Sequence, residues 1–316
     1  MVELVETGVT YEQLATLEQE FEEVENEIVR KQYELSRPLY EKRAALVAKI
    51  PNFWALVFEQ SPPEVDEYIQ PSDAALLLSS LKNISVTRPE LENGNNGDPR
   101  SLTIRFEFNE NEHFEDKVIE KTFWYRHSKD YTGLVSEPVD IKWKPGKDLT
   151  EGLLSQAKKV WDQGPITPGK LTPEAQALKT KIEETGIGGV SFFTFFGYVG
   201  KRISPEESAA ALAKELEELR LRKEGKEVPE EAEEEEEENE DEFALEIFPD
   251  GDDVAVSIAT DLWPEALHYF SKFLRSQSNS NNDGDLLSLI AQAQEAAEMS
   301  DADFESDDED EEMDDN

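Results

Sequence analysis

The sequence predicts an α+β fold in which a long N-terminal helix precedes a four-stranded antiparallel sheet covered by helices. Apolar residues recur at alternating steps of three and four along residues 10–50. Four segments between residues 82 and 144 then alternate apolar and polar side chains, and helical patterns return after them. These are the periods of a helix and of half-buried strands. Helices, then a sheet, then helices indicate α+β architecture rather than alternating βαβ units.

The long helix is predicted over residues 10–50. Its apolar seam is spaced as in a coiled coil and consists, with Lys31 as the one polar member, of Leu14, Leu17, Phe21, Val24, Ile28 and Leu35. Thr10 and Gln13 fit a capping box, which satisfies free backbone N–H groups at a helix start. Forty helical residues extend roughly 60 Å. A small domain cannot cover such a length, so we expect a partner helix, most simply a second copy.

Pro38 lies inside this predicted helix. A proline there removes a helical hydrogen bond and clashes with the preceding turn. The sequence leaves two alternatives open, one long kinked helix or two abutting helices that meet near Arg37.

Four strands are predicted at 82–88, 102–109, 118–126 and 139–144, with turn-rich separators. In the second strand, Leu102, Ile104, Phe106 and Phe108 fall on one face. The other face carries polar residues, as expected for a sheet covered on one side.

Further helices are predicted around this sheet. One covers Phe53 to Phe58, a second spans 72–80 with Ser72 as its N-cap, and a third follows Ser204. A helical stripe is predicted at Trp263, Leu267, Phe270 and Leu274, and a short helix at 285–299. The four phenylalanines of SFFTFF at 191–196 favour core packing over a ligand surface.

The chain is strongly acidic, with a formal net charge of −42 over 316 residues. Residues 227–242 carry twelve acids without a base, and residues 301–316 carry eleven without a base. Such blocks are typical of solvated interaction tails. The charge favours a strongly basic partner and disfavours nucleic acid as the primary one, because phosphates carry the same sign. No segment has the length of a membrane span, and we see no signal-peptide pattern.

Catalytic motifs are absent from the sequence. His113, His127 and His268 share no spacing, there is no cysteine, and no phosphate loop, nucleotide fingerprint or zinc-protease motif occurs. We therefore expect a binding protein rather than an enzyme, with neither cofactor nor metal.

Several segments together resemble the nucleosome assembly protein family, with the SET (template-activating factor I beta) branch as the nearest counterpart. The segments are AKIPNFWALVF (48–58), FEFNENEHFEDKVIEKTF (106–123), DIKWKPGKDLT (140–150), SFFTFF (191–196) and DLWPEALHYF (261–270). The resemblance implies an antiparallel, coiled-coil-like homodimer through residues 10–50, an "earmuff" domain on each side, and a nuclear histone chaperone that binds core histones. The SET branch also implies masking of histones from acetylation and inhibition of a Ser/Thr phosphatase.

The predicted domain organisation follows from this resemblance. Residues 1–9 form a disordered start, 10–50 the dimerisation helix, 51–275 the earmuff domain, and 276–316 a linker, a short helix and an acidic tail. Two stretches depart from the SET pattern as insertions, 151–190 and 204–242, and the second includes the acidic block 227–242.

The histone-binding candidates are acids in or near the sheet's loops and before the last helix. They are Glu107, Glu110, Glu112, Glu115, Asp116, Glu120, Asp252, Asp253 and Asp261. The alternation in the second strand supports an outward-facing Glu107, whereas the others depend on the resemblance. Ser300 and Ser306, each followed by an acid three residues on, fit acidophilic kinases. The alternative function is a regulatory inhibitor that docks specifically on a phosphatase or a histone acetyltransferase. A chromatin-modifying enzyme is then a partner, and shuttling between nucleus and cytoplasm is a further expectation.

Overall fold

A computed structural model describes residues 9–94, 97–167, 169–186, 190–224, 226 and 240–278. The predicted helix at 285–299, both serines of the tail and most of the two acidic blocks lie outside these residues.

Helix α1 runs from Tyr11 to Val47 and begins with the predicted capping box of Thr10 and Gln13. It continues through Pro38, so the alternative of two abutting helices is wrong. Proline lacks the N–H that would bond to the carbonyl of Glu34. Both residues are exposed, and solvent can satisfy that carbonyl.

Three short helices lead from α1 to the sheet. They are α2 (Phe53–Phe58), whose residues are all buried, α3 (Pro63–Asp66) and α4 (Pro71–Ser80). The N-cap of α4 is Gln70, not Ser72 as the sequence predicted. Pro71 provides the first helical residue, a position where its missing N–H costs nothing.

The sheet has the antiparallel order β1-β2-β3-β4. Its strands are β1 (Leu81–Thr87), β2 (Leu102–Phe108), β3 (Val118–His127) and β4 (Thr132–Ser136). The first three agree with the sequence within two residues, and Phe106 pairs with Ile84 on one side and Ile119 on the other.

The fourth strand was predicted at the wrong place. Residues 132–136 pair with β3, although the glycine in TGLVS is typical of a turn. Residues 139–144 lie beside the loop after β2 instead, with one isolated bridge between Phe114 and Trp143. The alternation there reflects Ile141 and its neighbours packing onto the core from a loop. Pro138, which cannot donate to a ladder, separates the two segments.

The remaining helices are α5 (Leu153–Asp162), α6 (Pro173–Thr185), α7 (Pro205–Lys223), α8 (Glu240–Phe243), α9 (Gly251–Ser257) and α10 (Ala266–Ser278). A π-helical turn, Ile258–Leu262, links α9 to Trp263. Of the predicted stripe, Trp263 and Phe270 are buried and Leu274 is partly buried against the core. The prediction for Leu267 is wrong, since this residue is 55% exposed, because α10 begins beyond Pro264 and the π-helical turn. No described helix has the length and apolar character to cross a membrane.

The core forms between one face of the sheet and an aromatic 3₁₀ turn, Phe192–Gly197. All four phenylalanines of this turn are buried, and Phe106 contacts Phe196 with 5.5 Å between ring centroids. Buried Asp73 fixes the turn, because its carboxylate accepts hydrogen bonds from Ser191 Oγ (2.5 Å) and Phe192 N (2.7 Å).

Candidate functional site

The apolar seam of α1 faces away from the rest of the chain. Its six apolar members are between 48% and 65% exposed. The opposite side of the helix contacts its own domain through polar groups. Arg30 donates to the carbonyl of Gly97 (2.7 Å) and Tyr33 to the carboxylate of Glu92 (3.1 Å). A long apolar stripe in water is unfavourable, so the seam needs a partner.

Arg43 anchors the C-terminal part of α1 to the domain. Its guanidinium lies 4.8, 5.5 and 4.7 Å from the ring centroids of Tyr40, Trp54 and Trp263. It donates hydrogen bonds to the carbonyls of Trp263 (2.5 Å) and Pro264 (3.0 Å). Burial lowers the pKa of Arg43 to about 10, so the side chain is still a cation at neutral pH. No carboxylate forms an ion pair with it in the described residues.

The predicted acids around the sheet are largely neutralised by neighbouring bases. Glu107 pairs with Arg105, and Glu120 lies 3.8 Å from the same guanidinium. The remaining two ion pairs of this group join Asp116 to Lys142 (3.7 Å) and Glu112 to Lys147 (3.5 Å).

Two other candidates in this loop, Glu110 and Glu115, are exposed and form no ion pair in the described chain. Glu107 lies on the predicted face of β2, since its neighbours Phe106 and Phe108 are buried in the core and Glu107 is only partly buried. We call the six candidates in and around the β2–β3 connection the loop set; they are Glu107, Glu110, Glu112, Glu115, Asp116 and Glu120. The loop set carries acids and bases close together, which weakens its net field on a basic partner.

A second group of acids has no such neutralisation. Helices α3 and α9 pack against each other and bring together acids that were distant in sequence. We call this group the α3/α9 acidic surface; it consists of Glu64, Glu67, Asp250, Asp252, Asp253, Asp261 and Glu265. None of the seven takes part in an ion pair within the part of the chain that the structure describes. Three of them, Asp252, Asp253 and Asp261, are among the predicted candidates.

Two tyrosines hold this surface in place. The hydroxyl of Tyr68 donates to Asp250 (2.7 Å), and that of Tyr269 donates to Asp261 (2.9 Å). Burial and then the adjacent acids raise the pKa of both phenols, that of Tyr269 to about 12. Burial likewise raises the pKa of Asp252, with Asp253 and Asp250 adding to the effect. The part of these shifts that comes from neighbouring acids indicates a negative field at this surface, which a cation would relieve.

Sequence reasoning missed four members of this surface: Glu64, Glu67, Asp250 and Glu265. A signal was present, since residues 50–81 and 227–271 contain neither lysine nor arginine. What the sequence did not reveal is that α3 and α9 from these two stretches meet.

Within the described residues there is also no group of histidines and carboxylates that could hold a metal ion.

Comparison with known proteins gives a consistent picture. The family model "Nucleosome assembly protein (NAP)" matches residues 47–272. A putative nucleosome assembly protein of Schizosaccharomyces pombe is 40% identical over 156 residues, which are 46% of this chain and 62% of that protein. Protein SETSIP of Homo sapiens is 37% identical over 134 residues, 42% of each chain. The matches therefore span less than two thirds of these relatives.

Solved structures extend the likeness over most of the fold. The crystal structure of Ccp1 superposes with a TM-score of 0.51 at 28% identity, covering 87% of this chain and 97% of that one. Vps75 gives a TM-score of 0.51 at 23% identity, with 82% and 96% covered, which is a likeness of fold alone. Since the family model covers well over half of the sequence, the chain belongs to the nucleosome assembly protein family.

Proposed function

We propose that this protein is a histone chaperone whose α3/α9 acidic surface binds core histones. The observation that carries the proposal is a set of seven acids on and beside α3 and α9, none of which forms an ion pair within the described residues, with Tyr68 and Tyr269 hydrogen-bonded to two of them. Histones are rich in lysine and arginine, and these side chains also contact DNA phosphates. An acidic protein can shield them and release them to DNA, which has the higher charge density. Membership of a family described as nucleosome assembly proteins supports this.

We further propose that the working unit is a homodimer joined through residues 10–50, with 51–275 as the histone-binding domain and 276–316 as an acidic extension. The exposed seam supports the dimer. The role is one of binding, in the nucleus, without direct recognition of nucleic acid as its main task. Masking of histones from acetylation follows if the shielded lysines are those that an acetyltransferase modifies.

The test compares two variants that each lose four negative charges. The first carries Glu64→Gln, Glu67→Gln, Asp250→Asn and Asp253→Asn. The matched control carries Glu110→Gln, Glu112→Gln, Glu115→Gln and Glu120→Gln in the loop set. Exposed charge pairs contribute about 0.5 kcal/mol each, so four of them change affinity by more than about tenfold. Titration of purified core histones should show this loss for the first variant and less than about threefold for the control.

Equal losses in the two variants would mean that only bulk charge matters and that the α3/α9 surface has no special role. The second candidate function, specific inhibition of a phosphatase or an acetyltransferase, is separated by salt. Histone binding through exposed charges should weaken steeply as salt rises. Retention of most affinity for such an enzyme at high salt would favour the inhibitor.

A further inference from the structure

Helix α7 is poorly covered by the rest of the chain. Of its described side chains, only Ser208 is buried, where its hydroxyl accepts a hydrogen bond from His127 N at the end of β3 (2.9 Å). Leu212 and Leu216 are 39% and 45% exposed. Although α7 contacts β3 and α1, these two leucines are covered only in part, so their apolar surface is available to a partner.

The leucines of α7 line a groove against the N-terminal half of α1. The groove encloses about 480 Å³, and its walls include Ala15, Gln19 and Asn26 of α1 opposite Leu212, Leu216 and Leu219 of α7. The leucines recur at i, i+4 and i+7, which makes an apolar stripe about 10 Å long. This spacing is the one that anchors an amphipathic helix in a groove.

The charge of the groove selects the kind of occupant. Its carboxylates are Glu18, Glu22, Glu23, Asp98, Glu215 and Glu218. The two arginines present are already bound, Arg100 to Asp98 and Glu22 (2.7 and 2.5 Å) and Arg222 to Glu218 (3.6 Å).

Three of these carboxylates, Glu18, Glu23 and Glu215, form no ion pair within the described chain. They flank the leucine stripe, so a partner that buried its apolar side there would need basic residues at its edges.

The groove and the dimer seam are separate surfaces. At 3.6 residues per turn, Gln19 and Asn26 point to the side of α1 opposite Leu17, Phe21 and Ile28. A second copy on the seam therefore leaves the groove open. A second copy is also a poor occupant of the groove itself, because the chain carries a net charge of −42.

We propose that the α1/α7 groove docks a basic amphipathic helix of a partner protein, with its apolar side on the three leucines and its lysines or arginines against Glu18, Glu23 and Glu215. This is a recognition site beyond the α3/α9 acidic surface. The groove would recognise an apolar helical pattern together with positive charge, whereas the α3/α9 acidic surface would recognise positive charge alone.

The experiment measures fluorescence anisotropy of a labelled 18-residue peptide of leucine and lysine in an amphipathic order, with the full chain at physiological salt. A peptide of identical composition in scrambled order is the control for charge alone. We expect the amphipathic peptide to bind at least tenfold more tightly than the scrambled one. Equal binding of the two peptides overturns the proposal.

Variants then locate the site. Leu212→Asn with Leu216→Asn should lower peptide affinity at least tenfold, whereas Val256→Asn with Leu267→Asn, at two exposed apolar positions elsewhere, should not. Ala15→Trp fills the groove from the α1 side without altering α7, and it should lower affinity equally; circular dichroism checks that each variant is folded. Unchanged binding to Ala15→Trp refutes the site.

Sedimentation of the Leu212→Asn, Leu216→Asn variant without peptide tests whether a second copy of the chain occupies the groove instead. A change in its mass would mean that a second copy covers the groove, which also overturns the proposal. Because the peptide assay contains no histone, it can succeed or fail independently of histone binding at the α3/α9 acidic surface.

Discussion

Lys121 is a charged residue in a position that the fold reserves for apolar ones. It lies on β3 between Ile119 and Phe123, on the face that packs on the core, and it is fully buried. Its Nζ donates to the carbonyls of Glu137 and Tyr198, both at 2.7 Å. A neutral amine has two N–H groups, and these two carbonyls accept both of them.

Burial lowers the pKa of Lys121 to about 7, from the 10.5 of a solvated lysine, with Glu246 and Glu137 opposing the shift. Glu246 is itself held by N–H groups of Val199 and Gly200 (2.9 and 3.1 Å), and burial raises its pKa. Between pH 7 and 10.5 the unfolded chain therefore binds a proton at Lys121 that the folded chain lacks. Folding stability should rise with pH in that window, and the contribution is constant below it.

Replacing Lys121 with Met tests this sign. The free energy of unfolding of the wild type, relative to Lys121→Met, should rise by up to about 1.4 kcal/mol per pH unit above pH 7. Urea unfolding at pH 6 to 9.5 measures it, with Lys117→Met, at an exposed position immediately before β3, as the control. A difference that does not vary with pH would show that the buried amine stays charged.

At the scale of elements, the seam of α1 makes the sharpest prediction. Phe21→Asp with Ile28→Asp places charges in the middle of the apolar stripe, whereas both residues are exposed in the single chain. The domain should therefore stay folded while the dimer dissociates. Light scattering should report the monomer mass, and Glu20→Ala with Glu27→Ala, beside the seam, should leave the dimer intact. A dimeric seam variant would contradict the assignment of this helix.

Sequence periodicity correctly predicted the elements in which the order of apolar and polar residues matches the environment of their side chains in the structure. The seam of α1 and strands β1 to β3 alternate in step with their exposure. The fourth strand was predicted at the wrong place for two reasons. Val139, Ile141 and Trp143 alternate with polar residues in a loop that packs on the core. The true strand, TGLVS, pairs with β3 although its apolar and polar residues do not alternate clearly. The prediction that Leu267 is buried was wrong because Pro264 and the π-helical turn shift the register of α10. Neither effect is local enough to be seen in sequence alone.

At the scale of the whole molecule, the acidic blocks and the folded surface should share histone binding. The sequence alone suggests a truncation that removes both acidic blocks, 227–242 and 301–316. However, Asp241 pairs with Lys179 of α6 (3.6 Å) and accepts from Gly169 N (2.9 Å). The deletion should therefore stop at residue 239, so that α8 and its contacts are retained.

Deletion of 227–239 and 301–316 should weaken core-histone binding without abolishing it, because the α3/α9 acidic surface remains. Pull-downs across a salt series measure this, with the dimer mass determined in parallel. Complete loss of binding by the folded, dimeric truncation would assign all binding to the blocks and none to the domain.

The location of this surface could be predicted only in part. Composition indicated an acidic binder, and Asp252, Asp253 and Asp261 were found by resemblance. Glu64 and Glu67 joined them only through the packing of α3 on α9, a long-range contact that no sequence period encodes. Conversely, Asp116 and Glu112 looked free in sequence but are paired with lysines from a loop about thirty residues away.

The contact of Arg43 with its domain differs in kind from the acidic binding surfaces. Rings and carbonyls surround this cation, and a buried contact of that kind is screened much less by salt than exposed ion pairs are. Ionic strength that strips a basic partner from the acidic surfaces should therefore leave α1 fixed to its domain. If the acidic surfaces bind histones as proposed, a rise in ionic strength should release the histones without changing the position of α1 on its domain.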